Sequence, residues 1–471
     1  GVTSLFSILI IGCQGYSLPL SLWRGGRGVR PTKNQFKMIE ELYSIYLKHP
    51  VVSTDTRNLP EGCIFFALKG ASFDGNAFAA QALENGAAYA VIDAPEFRTD
   101  ERFFLVPDVL EALQQLATHH RMHFEIPVIA IGGSNGKTTT KELISSILTS
   151  HYPSHFTKGN LNNHIGVPLT LLSMPAGTEV AVIEMGTNQP GDIEQLCSIA
   201  RPTHGLLTNI GKEHLEGFGS LAGVKKAEAE LYQYLARTNG CIFLNLSEKY
   251  LPAMARRNKR RVEYRESDIL NPNNGTIEIR LLKEMPFVEV EFLSDEGALV
   301  EVRTYLFGRH NFNNIMTAIA LGIYFKVPAA TIKSALESYR PSNNRSQIVD
   351  FGSNTVLLDA YNANPSSMEP ALKSLQAMPA PHKAAILGDM LELGAGSKKE
   401  HEGILKLAGK MGLDYLVLVG KEFGQTPYER YGALHFPDNT AAKAWLDAKN
   451  LQNTLILIKG SRGIRLEKLV I

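Results

Sequence analysis

One glycine-containing stretch constrains the fold more than any other part of the chain. Residues 128–140 read VIAIGGSNGKTTT, an apolar run followed by a glycine turn, a lysine and three hydroxyl residues. Glycine lets the backbone turn tightly, so that successive N–H groups and the start of a following helix point at one anion. The stretch therefore predicts a strand, a phosphate-binding loop and a helix that includes Lys141–Leu148.

The loop is a shortened variant of the P-loop, which has a glycine where this chain has Ile131. The remaining residues still offer backbone N–H groups, Lys137 for the terminal phosphates and the Thr138 hydroxyl for magnesium. The alternative is an ordinary strand–helix turn that happens to contain Gly-Lys-Thr. We favour a nucleoside triphosphate site, formed by Gly133, Ser134, Asn135, Gly136, Lys137, Thr138 and Thr139.

Size and composition indicate a multidomain globular protein. A chain of 471 residues is long enough for about three domains. The net charge of +1 gives no reason to expect a nucleic-acid partner. The four cysteines have neither metal-binding spacing nor the pattern of a disulfide framework, so they are expected to be reduced cytosolic thiols.

Patterning divides the chain into four segments. Residues 1–37 are expected to be a disordered extension, because their apolar run Leu5–Cys13 is too short to span a bilayer and lacks preceding basic residues. Residues 38–126 alternate short strands and helices, which predicts a small α/β domain. Residues 127–339 predict a mainly parallel sheet covered by helices, and residues 340–471 a Rossmann-like α/β domain without a G-x-G-x-x-G motif.

Several individual elements are specific enough to predict. The helices are expected at Glu40–Leu47, Ala77–Asn85 and Ile315–Phe325. The strands are expected at Gly62–Leu68, Ala88–Ile92, Val180–Ile183, Gly205–Leu207, Thr355–Leu358, Ala384–Leu387, Tyr415–Val419 and Thr454–Ile458.

Two polar side chains follow strands of the predicted central sheet. Glu184 ends one strand, and His214 lies in the loop after the next. Ligands gather beyond the carboxyl ends of parallel strands, so both side chains are expected near the phosphate loop. A carboxylate can hold magnesium together with Thr138, and a neutral imidazole can hold a second metal. Taken alone, His214 would more often be a structural histidine, but together with the phosphate loop we favour a metal ligand.

The stretch LFGRHNFNN, residues 306–314, precedes the helix Ile315–Phe325. Its asparagines could cap that helix or bind an adenine edge, and the sequence leaves both possibilities open.

Ten motifs in order carry a resemblance to a known family. They are STDTR, FFALKGASFDGNAF, GGSNGKTTTKE, GNLNNHIGVPLTLL, EMGTNQPGDIEQL, TNIGKEHLEGFGSLAGV, GRHNFNN, DAYNANPSSM, LGDMLELG and KGSRG. Between about Glu40 and Leu469 the chain resembles the Mur ligases. These are three-domain, ATP- and magnesium-dependent enzymes of peptidoglycan synthesis, and the motifs NLNNHIGVPLT and YNANP point to one substrate pair among them.

The resemblance implies a cytoplasmic, monomeric ligase that joins D-alanyl-D-alanine to UDP-N-acetylmuramoyl-tripeptide. A carboxylate is a poor electrophile, so the ATP γ-phosphate is first transferred to it, and the amine then attacks the acyl phosphate. Such chemistry depends on positioning and on neutralising the phosphate charge.

The resemblance also implies roles for individual residues. Residues that act on phosphate or hold magnesium would be Lys137, Thr138, Glu184, His214, Glu228 and Arg345. The nucleotide would also contact Asn311, Asn314, Asp359, Tyr361 and Asn362. Substrate residues would be Asp55, Arg57, Lys69, Gly70, Phe73, Asp74, Gly75, Asn162, Asn163 and Asn364, with residues 391–393 and 459–462 helping to admit the dipeptide.

Two positions depart from the family pattern. Asn76 stands where relatives usually have histidine, and an amide keeps a hydrogen-bonding group there. Glu228 stands where related ligases have a lysine that is often carbamylated to support the second magnesium. Since glutamate already carries the oxygens that carbamylation creates, we expect Glu228 to replace the modified lysine. Carbamylation of Lys225 or Lys226 is disfavoured, because those side chains point elsewhere on the helix.

Two other functions remain alternatives. One is a sibling amide ligase, such as the enzyme that adds the third residue or a folylpolyglutamate synthetase. The other is a catalytically silent homologue that acts as a binding protein. The second is disfavoured because the phosphate and metal residues are all present. In the ligase, a hinge at Tyr339–Asn344 would bring Arg345 and Asp359 onto the nucleotide.

Overall fold

The computed structural model describes residues 33–470, and the chain divides between His119 and His120 into two compact units. Most of the expected disordered extension, residues 1–32, lies outside the described residues. Residues 33–37 are helical rather than disordered, because the first helix, α1, runs over Lys33–Tyr46. Phe36 extends the apolar spacing of that helix and its ring meets the His119 ring edge-on.

The described part of the first unit is built on a small parallel sheet. Its strands, in spatial order, are β1 (Val52–Ser53), β2 (Ile64–Phe66), β3 (Tyr89–Ile92) and β4 (Phe103–Leu105). Two further helices accompany them, α2 (Ala79–Glu84) and α3 (Val109–Arg121), and the division between the units falls in the last turn of α3. Loops that follow β1 and β2 meet at one edge because the strands are parallel.

A second, larger sheet occupies the first part of the other unit. Its strands are β5 (Val128–Gly132), β6 (Ser154–Phe156), β7 (Val180–Glu184), β8 (His204–Leu207), β9 (Cys241–Asn245), β10 (Arg261–Glu266), β11 (Ile277–Lys283), β12 (Glu289–Leu293) and β13 (Leu299–Arg303). The spatial order is β13-β12-β11-β10-β9-β8-β5-β7-β6 within the described residues.

This sheet is parallel from β6 to β11, which agrees with the predicted mainly parallel sheet. The antiparallel pairs β11–β12 and β12–β13 are a difference from the prediction. In β12 buried and partly exposed residues alternate, as expected of an edge region with one solvated face. The predicted α/β class with a mainly parallel central sheet is confirmed.

Helices cover the central sheet. They are α4 (Lys137–Thr149), α5 (Gly166–Leu172), α6 (Asp192–Ala200), α7 (Leu215–Phe218), α8 (Leu221–Arg237), α9 (Leu251–Met254), α10 (Arg309–Tyr324) and α11 (Ala329–Ser338). Helix α4 begins at Lys137, so the hydroxyl residues of the loop already form its first turn. Apolar residues of α4 and α10 belong to one buried core, which fixes the start of α4 against the sheet.

The remainder of this unit forms a third sheet. Its strands are β14 (Gln347–Phe351), β15 (Asn354–Asp359), β16 (His382–Gly388), β17 (Tyr415–Val419), β18 (Leu434–Phe436) and β19 (Thr454–Lys459), in the spatial order β14-β15-β19-β16-β17-β18. Its helices are α12 (Pro365–Ala377), α13 (Ser397–Ala408), α14 (Lys421–Gly424) and α15 (Asn439–Lys449). Among these strands β14 pairs antiparallel and the others are parallel, as in a Rossmann-like domain.

Over the part of the chain that the structure describes, no helix combines the length and the apolar character needed to cross a bilayer.

Asn76 joins two loops of the first unit. It is 1% exposed, and its side-chain NH₂ donates to Asp74 Oδ1 at 2.7 Å and to Asp93 Oδ1 at 2.8 Å. Its carbonyl oxygen accepts from the Asp93 N–H at 3.1 Å. The Asn76 side chain therefore ties the loop after β2 to the end of β3.

We expect Asn76→Ala to destabilise the first unit. Each of the two carboxylates would lose one hydrogen bond and the Asp93 N–H would lose its acceptor, at a cost of about 1–3 kcal/mol. Urea unfolding followed by far-ultraviolet circular dichroism measures the effect. The exposed neighbour Asn85 is the matched control, and Asn85→Ala should change the free energy of unfolding by less than about 0.5 kcal/mol. Equal effects of the two substitutions would contradict a structural role for the Asn76 amide.

Candidate active site

A cavity of about 990 Å³ lies in the second unit, at the carboxyl ends of its strands. The phosphate loop, the loops after β7 and β8, the start of α10 and the loop after β15 line it. Many predicted site residues share it: Ser134, Asn135, Gly136, Lys137, Thr138, Thr139, Asn162, Asn163, Glu184, His214, Asn311, Asn314, Arg345, Asp359, Tyr361 and Asn362.

Two glycines give the phosphate loop its shape. Gly133 has φ +109° and Gly136 has φ +82°, a backbone region that other residues rarely adopt. A Cβ atom on Gly133 would also lie 2.6 Å from the backbone nitrogen of Thr208. Helix α4 follows with no side-chain cap, so its first N–H groups remain available to an anion in the cavity.

The loop after β8 braces the phosphate loop. The side chain of Asn209 accepts from the Asn135 N–H at 3.1 Å and donates to the Asn135 carbonyl at 2.8 Å. The Ser134 hydroxyl accepts from the Gly211 N–H at 2.8 Å. These bonds, which all come from the loop after β8, fix the conformation of the phosphate loop.

Lys137 lies among buried carboxylates. Its Nζ donates to the Gly133 carbonyl at 2.5 Å and lies 3.7 Å from Glu213 Oε2. Burial alone would lower the pKa of Lys137, but the negative charges of Glu213, Glu228 and Glu184 raise it. The lysine therefore stays an ammonium, as required to neutralise a phosphate.

The side chains of Thr138 and Glu184 meet at the floor of the cavity. The Thr138 hydroxyl donates to Glu184 Oε1 at 3.1 Å, and the side-chain NH₂ of Asn162 donates to the same oxygen at 2.8 Å. The other oxygen, Glu184 Oε2, is buried without a hydrogen-bond partner, and the ammonium of Lys141 lies 3.6 Å from it. An unpartnered carboxylate oxygen beside a hydroxyl fits a hard cation such as Mg²⁺.

Within residues 33–470, no group of three or more histidine, cysteine, aspartate or glutamate residues could hold a metal by itself. Mg²⁺ usually needs only one or two carboxylates and takes its other ligands from phosphates and water. The Thr138–Glu184 pair fits that pattern, so a magnesium here would depend on the bound nucleotide.

Glu228 lies behind the phosphate loop, not on the cavity surface. It is 0% exposed, and its Oε2 accepts from the Gly133 N–H at 2.8 Å. Its Oε1 has no hydrogen-bond partner. Burial raises the pKa of Glu228 to about 8, and the negative charge of Glu213 adds to the rise. Glu228 thus contacts the phosphate loop through Oε2, and its Oε1 remains without a hydrogen bond.

Glu213 is a site residue that the sequence reasoning missed. It is 3% exposed, lines the cavity, and has one oxygen, Oε1, without a hydrogen-bond partner. A signal was present, because Glu213 directly precedes His214 in the loop after β8. It is a second carboxylate, besides Glu228, whose charge acts on Lys137.

His214 meets the third sheet across the cavity. Its Nδ1 lies 2.5 Å from Glu392 Oε2, and this contact holds the pKa of the Glu392 carboxyl below its usual value. Both residues have positive φ, +42° for His214 and +63° for Glu392. Strained backbone of this kind is common at functional sites, where the surrounding structure maintains it.

Arg345 and Tyr361 form the opposite wall of the cavity. The Arg345 guanidinium lies 3.6 Å from the centre of the Tyr361 ring, a cation–π contact. The buried Nε of Arg345 has no hydrogen-bond partner. An unpartnered cationic donor at the cavity wall is suited to an anionic ligand.

Asn311 and Asn314 lie inside α10, so the possibility that they cap this helix is wrong. Gly308 is the N-cap residue, and the first N–H of the helix, that of Arg309, donates to Glu284 Oε1 at 3.1 Å. The Asn314 NH₂ donates to Asn311 Oδ1 at 3.0 Å, and Asn314 Oδ1 accepts from Thr140 at 3.1 Å. The pair therefore joins α10 to the first turn of α4 beside the phosphate loop.

Two other predicted substrate asparagines serve as helix caps. Asn163 Oδ1 accepts from the Gly166 N–H at 2.9 Å at the start of α5, and Asn163 still lines the cavity. Asn364 caps α12, and its side-chain NH₂ donates to Asn135 Oδ1 at 2.8 Å. Asn364 does not line the cavity, since its polar atoms are used to join α12 to the phosphate loop.

In the first unit, the predicted substrate residues lie in the loops after β1 and β2. Arg57 forms an exposed bidentate pair with Asp55, at 2.9 and 2.7 Å. The Gly70 N–H donates to the Phe73 carbonyl at 2.9 Å, which closes a turn and leaves the Phe73 side chain exposed. Nearby are Lys69, in an ion pair with Asp93, and the start of a short 3₁₀ turn at Asp74 and Gly75.

Family comparisons cover most of the chain. The Mur ligase middle domain matches residues 131–322, and the Mur ligase glutamate ligase domain matches residues 344–462. A third model, the Mur ligase family catalytic domain, matches residues 50–121. The chain belongs to the Mur ligase family.

Individual Mur ligases are similar over nearly the whole length. UDP-N-acetylmuramoyl-tripeptide–D-alanyl-D-alanine ligase of Escherichia coli is 35% identical, over 91% of this chain and 95% of the relative. A crystal structure of MurF from Acinetobacter baumannii superposes with a TM-score of 0.78 at 29% identity, covering 89% of this chain and 92% of that one. MurF from Thermotoga maritima in complex with ADP has a TM-score of 0.75 at 26% identity, covering 89% and 96%.

We expect Gly133→Ala to weaken phosphate binding by the loop. The new Cβ would collide with the backbone of Thr208 in addition to straining φ. Gly177→Ala is the matched control, because Gly177 has φ +86° and open space around its Cβ position. Both variants should lose about 1–2 kcal/mol to backbone strain, but only Gly133→Ala should lose affinity for ADP, by about tenfold or more. Isothermal titration with ADP and Mg²⁺ measures this, and equal ADP affinity of both variants would contradict it.

Proposed function

We propose that this Mur ligase joins D-alanyl-D-alanine to UDP-N-acetylmuramoyl-tripeptide, with cleavage of ATP to ADP and phosphate. The observation that carries the proposal is that Lys137, at the start of α4, and Arg345, just before β14, line one cavity together with Glu184. This places positive charge on two sides of the position where a phosphoryl group would sit. Relatives that bear the name of this activity supply the substrate pair. The reaction is assigned to the cytoplasm as the final step that completes the peptidoglycan precursor.

The chemistry needs an activated carboxylate. The carboxylate of the tripeptide attacks the γ-phosphorus of ATP and ADP leaves, which gives an acyl phosphate. The amine of D-alanyl-D-alanine then attacks the acyl carbon, and phosphate leaves as the amide forms. Because phosphoryl transfer involves little covalent work by the protein, the residues act mainly by position and charge.

Lys137 and Arg345 are assigned to the transferring phosphate. The uncapped first N–H groups of α4 are assigned to the phosphates on one side, together with the charged Lys137 ammonium. The Arg345 guanidinium, with its unpartnered Nε, approaches from the other side. These two cations would stabilise the charge that spreads over the γ-phosphoryl oxygens.

Mg²⁺ would neutralise phosphate charge at the same place. Thr138 and Glu184 are assigned to one ion and His214 to the second, with Glu228 assigned to support the second ion from behind the phosphate loop. For that role, His214 would exchange its contact with Glu392 for the ion.

The remaining cavity residues are assigned to the nucleotide. Asn311 and Asn314 lie beside the phosphate loop, on the nucleotide side. Asp359, with Tyr361 and Asn362 after it, is assigned to the ribose and base. In the first unit, the loops that contain Asp55, Arg57, Lys69, Gly70, Phe73, Asp74 and Gly75 are assigned to the UDP-sugar, and Asn162 and Asn163 to the peptide part of the substrate.

We assign three domains to the ligase, at residues 38–126, 127–339 and 340–471. We also propose that the protein acts as a monomer. The central and C-terminal domains each contribute one wall of the cavity. A hinge near residues 339–344 is supported by Asn343 and Asn344, which have φ +61° and +57° just before the third sheet begins.

The test is phosphate release from ATP in the presence of UDP-N-acetylmuramoyl-tripeptide, with and without D-alanyl-D-alanine. We expect release that requires both substrates, and a UDP-linked pentapeptide product by mass spectrometry. Release with a single amino acid or with a folate acceptor would instead identify a sibling ligase. Binding of ADP without turnover of any acceptor would indicate a silent homologue.

Position 228 gives a separate prediction. If Glu228 replaces a carbamylated lysine, Glu228→Gln should lower Mg²⁺-dependent turnover by about 10–100-fold, as the loss of an oxygen ligand or its support does. Manganese binding to the ADP complex, followed by electron paramagnetic resonance, should weaken in parallel. Turnover of the unmodified protein should not depend on bicarbonate.

Two substitutions accompany this test. Lys226 is exposed on the same helix, so Lys226→Ala should leave turnover and manganese binding unchanged. Glu213→Gln shows whether the neighbouring cavity carboxylate contributes to the same ion. Normal activity of Glu228→Gln combined with loss in Lys226→Ala would contradict the assignment.

A further inference from the structure

Two C-terminal motifs leave the third sheet side by side. The nucleotide loop, residues 359–365, follows β15, and the KGSR segment, residues 459–462, follows β19. These strands are parallel neighbours, and their register pairs Asp359 with Lys459. Residues that are 100 positions apart in the sequence therefore stand next to each other at the edge of the cavity.

Lys459 is a buried cation with two partners in the nucleotide loop. It is 1% exposed, and its Nζ lies 2.5 Å from Asp359 Oδ2 and 3.1 Å from the Asn362 carbonyl oxygen. A buried ammonium is costly unless it is paired and hydrogen-bonded, and these contacts satisfy that requirement. Its charge is consequently used within the protein and is not free for the carboxylate of a dipeptide.

The rest of the KGSR segment contacts the same loop. The Ser461 hydroxyl donates to the Ala363 carbonyl at 3.4 Å, and Arg462 Nη1 donates to the Tyr361 hydroxyl at 3.1 Å. The Arg462 guanidinium also lies 5.1 Å from the centre of the Tyr361 ring. Three side chains of one segment thus contact residues throughout the nucleotide loop.

We propose that Lys459 is a positioning residue for the nucleotide, which holds the Asp359 carboxylate and the nucleotide loop in their binding geometry. This proposal rests on the proposed ATP-dependent function. It assigns the KGSR segment to the nucleotide, in place of the contribution to dipeptide entry that the family resemblance implies.

The contacts of Asp359 explain how this positioning works. Lys459 binds Oδ2, and the Ser346 N–H approaches Oδ1 at 3.4 Å, so the carboxylate plane is fixed from two sides. Burial alone would raise the pKa of Asp359, but the Lys459 ammonium keeps it below its usual value. A fixed, ionised carboxylate accepts hydrogen bonds from the hydroxyl groups of a ribose.

The decisive variant is Lys459→Met, which keeps the length and burial of the side chain but removes its charge. We expect the KM for ATP to rise and the ADP affinity to fall by about 10–100-fold, the equivalent of one hydrogen bond to a charged group. The KM for D-alanyl-D-alanine should stay within about twofold of that of the unmodified protein. Lys383→Met, at the opposite end of the same sheet, is the matched control and should change neither constant.

Arg462→Gln provides a second test if Lys459→Met does not fold, because Arg462 is exposed. Loss of the Arg462 guanidinium should raise the KM for ATP by a smaller factor, about two- to fivefold, because its hydrogen bond would no longer hold Tyr361 in place. Folding of each variant is checked by circular dichroism.

The outcomes separate this inference from the proposed function. A rise in the KM for D-alanyl-D-alanine in Lys459→Met, with ATP and ADP binding unchanged, would show that the KGSR segment serves the dipeptide. That result would overturn this inference and leave the proposed function intact. An unmodified protein that binds ADP but ligates no dipeptide would overturn the proposed substrate, and ADP affinity of the variants would still decide the role of Lys459. An unmodified protein that binds no nucleotide would overturn both.

Discussion

The parallel pairing of β5 with β7 and β8 is the constraint on which the site depends. In register, Ile131 of β5 lies beside Glu184 of β7 and Leu206 of β8. The three strands therefore end at the same edge of the sheet, and the loops that follow them begin close together in space. Lys137, Glu184 and His214 share a cavity because strand direction, not proximity in the sequence, places the strand ends together.

Charge balance at that edge gives the site its chemistry. Glu184, Glu213 and Glu228 surround Lys137, and each has one oxygen that lacks a hydrogen-bond donor. Unpartnered buried carboxylate oxygens are unfavourable, because they lose their hydration without replacement. A cation bound beside these oxygens would offset this cost.

The third sheet completes the cavity through polar contacts with the central one. Asn135 meets Asn364, Lys212 pairs with Glu400, and His214 pairs with Glu392. Contacts of this kind, largely hydrogen bonds and ion pairs, can be exchanged for ligand contacts more readily than a shared apolar core. The arrangement is consistent with a cavity that opens and closes around a nucleotide.

The sequence by itself determined the elements whose signal is local. The loop GGSNGKTT could be predicted because its glycine spacing dictates the backbone conformation. The strands before Glu184 and Asp359 could be predicted because each apolar run and the polar residue that ends it are adjacent in the chain.

Tertiary structure alone decided which side chains face the cavity and which support it. Glu228 lies behind Gly133 from 95 residues away, and Lys459 reaches Asp359 from 100 residues away. The sequence pattern also did not predict the antiparallel strands β12 and β13, nor did it place Asn311 inside α10. Burial and hydrogen-bond partners are set by which strands and helices pack together, and short-range spacing carries no information about that choice.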